Sequence, residues 1–125
     1  MATIQTRQIS FGRGDFTNTS SVTTGRVGSV IMPFDFEITG WGIACAGSSP
    51  TITFDVWKIA AGTAIPTVSN TIMGTKPALS TGNAVASTTM TNWVIRGIAG
   101  DILIANIDAV SNATSALLTL NIKNI

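Results

Sequence analysis

Few side chains in this sequence could do chemistry. Among 125 residues there are six carboxylates, one cysteine, seven Lys or Arg and no histidine. Asp35 and Glu37 stand at i and i+2, so on a strand they share one face about 7 Å apart. That separation lies near the spacing of the paired carboxylates that cleave glycosidic bonds. The same acids alternate with Phe34 and Phe36, however, a pattern that turns acids to solvent and rings to a core. Nucleophilic attack by Ser, Thr or Cys45 would need a base beside it. Without imidazole that base would have to be Lys58, Lys76 or Lys123, and none lies in a catalytic motif. Cys45 continues the apolar series Trp41, Ile43, Cys45 and reads as a packed thiol. A single cysteine excludes an intramolecular disulfide and a zinc site of several thiolates. Calcium would need Asp55, Asp101 and Asp108 gathered with backbone carbonyls, yet no calcium-loop spacing is present. The chain reads as a protein without a cofactor and without enzymatic activity.

Binding chemistry has a few more candidates. Trp57 lies between Asp55 and Lys58. A flat indole beside a carboxylate and an ammonium is an arrangement that can hold a sugar, so the three are candidate glycan or interface contacts. Trp57 is opposite in parity to Ile52, Phe54 and Val56. It therefore fills a subunit interface or second-sheet core, packs under the 60–77 connection, or serves as a ligand platform. Arg13-Gly14-Asp15 spells a tripeptide read by some cell-surface receptors, in a segment where it would be displayed. Asn18-Thr19-Ser20 and Asn112-Ala113-Thr114 match the N-glycosylation pattern. A net charge of +1 argues against nucleic acid, whose phosphates need clustered Lys and Arg.

The elements that must position these residues are strands. Ser and Thr make up about a quarter of the chain and there are 12 Gly, while charged residues are only 10%. Such a bias suits strands and turns. A strand is expected within 2–11, then a loop or extended arm over 12–25, then a strand over 27–32. Phe34, Phe36 and Ile38 form an inward face. After Gly40 the apolar parity changes to Trp41, Ile43 and Cys45, which predicts a bulge at Thr39-Gly40. Gly47-Ser48-Ser49-Pro50 reads as a turn. Ile52, Phe54 and Val56 form the next inward face, and 60–77 is a long connection with one short strand at 71–73. Short extended pieces follow at 84–90 and 93–96. The segment 102–107 is apolar on both faces and so central or at an interface. Ser111-Asn112 reads as a turn. Ala116, Leu118, Leu120 and Ile122 mark the last strand.

About eight short strands with turns every 8 to 12 residues predict an all-β fold, an antiparallel β-sandwich of jelly-roll-like form. The organisation expected is an N-terminal strand and arm over 1–22 and a sandwich domain over 23–125. The polar N-terminus does not resemble a signal peptide, and no run of about 18 apolar residues is present to span a membrane. A soluble protein is expected. Its few charges imply either a Ser/Thr/Gly/Asn surface or burial against other subunits.

The run Gly28-Ser29-Val30-Ile31-Met32-Pro33-Phe34-Asp35-Phe36-Glu37-Ile38-Thr39-Gly40-Trp41 resembles a module of bacteriophage fibre and virion surface proteins. There a Val-Pro-Phe-Asp run leads into a Gly-Trp pair. Phe54-Asp55-Val56-Trp57-Lys58 is similar to that module's Asp-Xaa-Trp-Lys strand. Pro66-Thr67-Val68, Ile72-Met73-Gly74, Lys76-Pro77 and Leu79-Ser80 match its next connection. Thr91-Asn92-Trp93 and Ile98-Ala99-Gly100-Asp101-Ile102-Leu103 are similar to its Gly-Trp and Ala-Gly-Asp-Ile-Leu pieces. Leu117-Leu118-Thr119-Leu120-Asn121-Ile122-Lys123 matches its closing strand. The resemblance covers residues 22 to 124, in order.

The resemblance implies a homotrimeric β-sandwich on a phage particle, with no catalytic residues. Such modules often end a long fibre, sometimes after a collagen-like stem. This sequence has no stem, and only about 22 residues precede the module. A short decoration or cement protein on the virion surface is therefore expected, made in the host cytoplasm and bound to the major capsid protein or another virion protein. The alternative is a short spike or fibre tip that binds host surface glycan. Phe11, Arg13, Asp15 and Phe16 are the candidate capsid-contact arm. Ordering such an arm costs about 1–2 kcal/mol per residue, so a partner surface should order it.

Overall fold

A computed structural model describes residues 6–14, 21–62 and 64–125. Among them are seven strands and one 3-10 turn: β1 (Thr6–Gly14), β2 (Gly25–Ile31), β3 (Phe36–Ile59), the turn Val68–Asn70, β4 (Ala78–Leu79), β5 (Ala84–Ser87), β6 (Arg96–Gly97) and β7 (Ile102–Asn124). The fold is all-β, and its strand pairs are antiparallel. No helix of the described residues is long and apolar enough to cross a membrane.

The frame is a ribbon of two long strands. β3 and β7 pair from Phe36↔Asn124 to Ile59↔Ile102. The other strands flank the two halves of this ribbon. β1 pairs with the second half of β7, while β5 and β6 pair with the first half of β3, giving the first layer. β2 pairs with the first half of β7, and β4 with the second half of β3, giving the second layer. The ribbon turns between the layers at a corner. Pairing passes from Gly47↔Ala113 directly to Thr51↔Ser111, leaving three β3 residues and Asn112 out of register. Gly47, Ser49 and Asn112 all have positive φ there (145°, 50° and 58°), a backbone state that Gly adopts freely and Asn tolerates.

The corner corrects the sequence reading. Gly47–Pro50 and Ser111-Asn112 carry real turn chemistry, but neither ends a strand. The two segments lie opposite each other, so β3 and β7 bend together and continue. Two long bent strands thus stand where several short ones were expected. The bulge expected at Thr39-Gly40 is present as a register shift between Ile38 and Gly40. The expected strand at 71–73 is reduced to one bridge, Thr71↔Trp57.

Alternation decides the core. Ile38, Ile43 and Cys45 of β3 and Leu118, Leu120 and Ile122 of β7 are buried in the first layer. Ile52, Phe54, Val56, Leu103, Ala105 and Ile107 are buried in the second and belong to the same cluster. Trp93 joins this core, and Trp41 packs against it while its indole N–H donates to the Thr89 carbonyl at 3.0 Å. β1 belongs to the sandwich as well. It runs in unbroken register from Thr6↔Lys123 to Gly14↔Ser115, and Phe11 is a core residue. The boundary drawn at residue 22 therefore falls after an integral strand, and the strand extends into the part expected to be loop.

Candidate functional site

The residues singled out for binding are bonded inside the fold. Asp55 is 0% exposed and Trp57 6%. Asp55 Oδ1 accepts from the Val56 amide at 2.9 Å and from Thr71 Oγ1 at 2.5 Å. Its Oδ2 accepts from the Trp57 indole N–H at 3.0 Å and faces Lys76 Nζ at 3.5 Å. Lys76 also pairs with Asp108 at 2.5 Å, and Asn106 donates to the other Asp108 oxygen at 2.7 Å. The Arg26 guanidinium lies over the Trp57 ring, 5.6 Å from its centroid. This network sits on the outer face of the second layer and fastens the 60–77 connection to it. The hydrogen bond to Asp108, with the Asp55 charge nearby, raises the Lys76 pKa above the ordinary lysine value.

Of the three roles open to Trp57, packing under the 60–77 connection is the one its contacts describe. Its indole edge is held by Asp55, and Thr71 of that connection bridges to its backbone. Lys58 has the opposite parity to Asp55 and Trp57 on β3 and reaches away from their network. It donates to the Arg96 carbonyl at 2.7 Å and faces Asp101 at 3.9 Å. The two triad members that share a network therefore have no open surface for a sugar, and the third is elsewhere.

Asp55, Asp101 and Asp108 do not gather as calcium ligands. Asp55 and Asp108 meet around the ammonium of Lys76, and Asp101 accepts from the Ile98 amide at 2.9 Å. Among the described residues no group of three or more His, Cys, Asp or Glu could hold a metal ion. Asp35 and Glu37 also part. Asp35 Oδ1 accepts from the Ala99 amide at 2.9 Å, while Glu37 pairs with Arg96 at 2.8 Å and Lys123 at 3.2 Å. Of the five described carboxylates, Asp35 and Asp101 thus brace the 98–101 turn, while Glu37, Asp55 and Asp108 pair with side chains from other segments. Burial pushes the Cys45 thiol up, as its packed position requires.

Glu37 gives a pH prediction. Its hydrogen bond to Arg96, then that to Lys123, holds its pKa below the ordinary value of 4.5. A depressed carboxylate stabilises the fold above the unfolded pKa, and that contribution fades as pH falls through the folded value. Glu37→Gln should therefore flatten the acid limb of the stability curve below about pH 4.5 and change little at pH 7 beyond the loss of a surface pair. Urea midpoints measured from pH 2.5 to 7 check this; an acid limb unchanged in the variant would exclude Glu37 as a source.

The candidate arm divides. Phe11 is in the core, and the Arg13 guanidinium donates to the carbonyls of Thr23 and Arg26. Asp15 and Phe16 lie outside the described residues, so Arg13-Gly14-Asp15 is described only at its first two positions. The sequence reading missed Thr71 and Asn106, and it weighed Lys76 only as a base and Asp108 only as a calcium ligand. Their signal was weak: Asn106 and Asp108 alternate with apolar partners on β7, but Lys76 sits in an irregular connection with no period.

The outer face of the first layer is different in kind. Across β1, β7, β3 and β5 it presents residues such as Ser10, Gly12, Thr119, Leu117, Gly42 and Ala44, none of them charged. It ends in the charged row Lys123–Glu37–Arg96. Leu117 stands in its middle, 39% exposed. A cleft of about 650 Å³ opens beside it, lined by Arg13, Ala44, Cys45, Asn83 and Leu117 among others.

Among the described residues, the fold and this surface define an antiparallel β-sandwich with one face covered by its own chain and one uncovered. No protein-family model matches the chain, and no curated protein is matched. Among solved structures it is similar to a protein of Bacillus endospore appendages, a family of disulfide-linked pili, at 13% identity over 98% of this chain and 88% of that one, with a TM-score of 0.40. It is similar to a Triatoma virus protein at 16% identity over 94% of this chain and 62% of that one, with a TM-score of 0.41. It is also similar to a chain of a cyanophage capsid at 13% identity over 98% and 86%, with a TM-score of 0.35.

Proposed function

We propose that the chain is a structural protein of a bacteriophage particle, a homotrimer that decorates or cements the capsid from the virion surface. In this reading it is made in the host cytoplasm and assembles onto the major capsid protein or another virion protein. What supports it is the placement of the residues that carry the resemblance to phage surface modules. Asp35 and Asp101 brace the Ile98–Asp101 turn, Asp55 and Trp57 anchor the 60–77 connection, and the Trp93 indole donates to the Thr75 carbonyl at 2.6 Å. Asp55 and Trp57 tie a connection to β3, and Asp35, Asp101 and Trp93 tie connecting segments to one another. They act as fasteners of a rigid module, which is what a resemblance in scaffold chemistry requires.

A cement protein adds interface where capsid subunits meet, and ligand-like binding to the assembled state stabilises that state. Particles assembled without the protein should lose infectivity and release DNA at lower temperature and on dilution. Adding purified protein back should restore them. Particles equally robust with and without it would exclude cementing. A spike or fibre tip that binds glycan is the other reading of the same resemblance. With Asp55 and Trp57 internal, it would rest on other side chains, and adsorption of particles to host cells is its test.

A further inference from the structure

The two outer faces of the sandwich are finished differently. The second layer is covered by the chain's own 60–77 connection, held by Asp55, Thr71 and Lys76. The first layer has no such cover among the described residues. The described charged residues lie off its face or on its border, with Arg13 among the residues that line the cleft beside Leu117. Leu117, on the central strand β7, is its large exposed apolar residue, flanked across the sheet by Gly12 and Ala44.

We propose that this face is where copies of the chain meet, turned toward the symmetry axis of the homotrimer with Leu117 of each copy near that axis. The inference rests on the trimer reading above and assigns its interface. Three observations favour a second copy as the occupant. An uncharged face can meet its own image with no like-charge juxtaposition, whereas a charged one would need a complementary partner. The small residues beside Leu117 and the adjacent cleft of about 650 Å³ leave room for a neighbour's leucine, so knob and hole lie on one surface. The charged row Lys123–Glu37–Arg96 supplies a polar rim.

The test is solution mass by light scattering after size exclusion, with circular dichroism as the check on folding. Wild type should elute as three copies of 12.9 kDa, about 39 kDa. Leu117→Glu and Ala44→Arg each place charge on the face and should give folded protein of one-third that mass. Thr119→Lys, a change at an already polar position, provides the same test should either of those fail to fold. Ile98→Glu, exposed on another surface, should remain trimeric. Trimers that persist in all the face variants would overturn this interface while leaving the trimer standing. A wild-type monomer at every concentration would overturn the trimer itself and this interface with it.

Discussion

Replacing Asp55 by Ala should destabilise the protein by about 3–5 kcal/mol, the usual cost of breaking a buried pair from one side. In a chain of this size that corresponds to a fall in Tm on the order of 10–20 °C. The reason is the number of groups left behind. The Trp57 indole N–H, the Thr71 hydroxyl and the Val56 amide would all lose their acceptor in a site where Asp55 itself is fully buried. Lys76 keeps Asp108, so the cost is mainly that of unsatisfied donors. The loss should be local first. Amides tied to the connection, such as Ile72 on the Val56 carbonyl and Val94 on the Ile72 carbonyl, should exchange hydrogen faster than those of the β3–β7 ribbon. Asp55→Asn keeps an acceptor and should fall between. A thermal melt and native-state exchange decide the matter; a variant within about 1 kcal/mol of wild type would mean that the network is not the fastening described.

Gly47→Ala is the other large effect. Gly47 has φ of 145°, and a Cβ there would land on the Asn112 carbonyl oxygen, with Ala113 Cα 3.1 Å away. Both obstacles are backbone, so no side chain can rotate aside. The corner would have to open, which would pull both long strands out of register. We expect a loss of about 3 kcal/mol or more, combining backbone strain with the clash. Gly82→Ala is the control. Its φ is also positive, at 75°, but nothing lies within 4 Å of the added Cβ. It should cost about 1–2 kcal/mol from the left-handed backbone alone. Urea midpoints of the two variants separate the contributions. Equal losses would show that the corner has no special steric demand.

Several parts of this architecture were readable one residue at a time. The alternations Ile52, Phe54, Val56 and Ala116, Leu118, Leu120, Ile122 are inward faces as written, because side chains on a strand alternate with period two. The parity change after Gly40 marked a bulge for the same reason. The buried thiol of Cys45 followed from its place in an apolar series.

Other parts were not readable, each for a nonlocal reason. Asp55 and Trp57 point outward by parity, which left an interface or second-sheet core, the 60–77 connection or a ligand as possible cover for Trp57. They are buried because a connection ten to twenty residues further on lies over that side, and nothing in the alternation of β3 encodes which loop will arrive. Gly47–Pro50 and Ser111-Asn112 looked like two chain reversals. They are one corner because β3 and β7 put them opposite each other, and pairing between strands so far apart in sequence is invisible to local pattern. Phe11 looked like part of an arm until β7 supplied its partner strand.

The amino-acid sequence by itself determined the all-β class, the inner faces of the strands, the bulge and the lack of imidazole or multi-thiolate chemistry. These depend on composition and on period-two alternation, which are local. Tertiary structure alone decided that two long strands bend as one ribbon, that the outward acids become an internal network, and that among the described residues one outer face is left without a cover and without charge at its centre. Those outcomes depend on which distant segments come to lie together, and hydrogen-bond pairing and desolvation settle that only once the whole chain has folded.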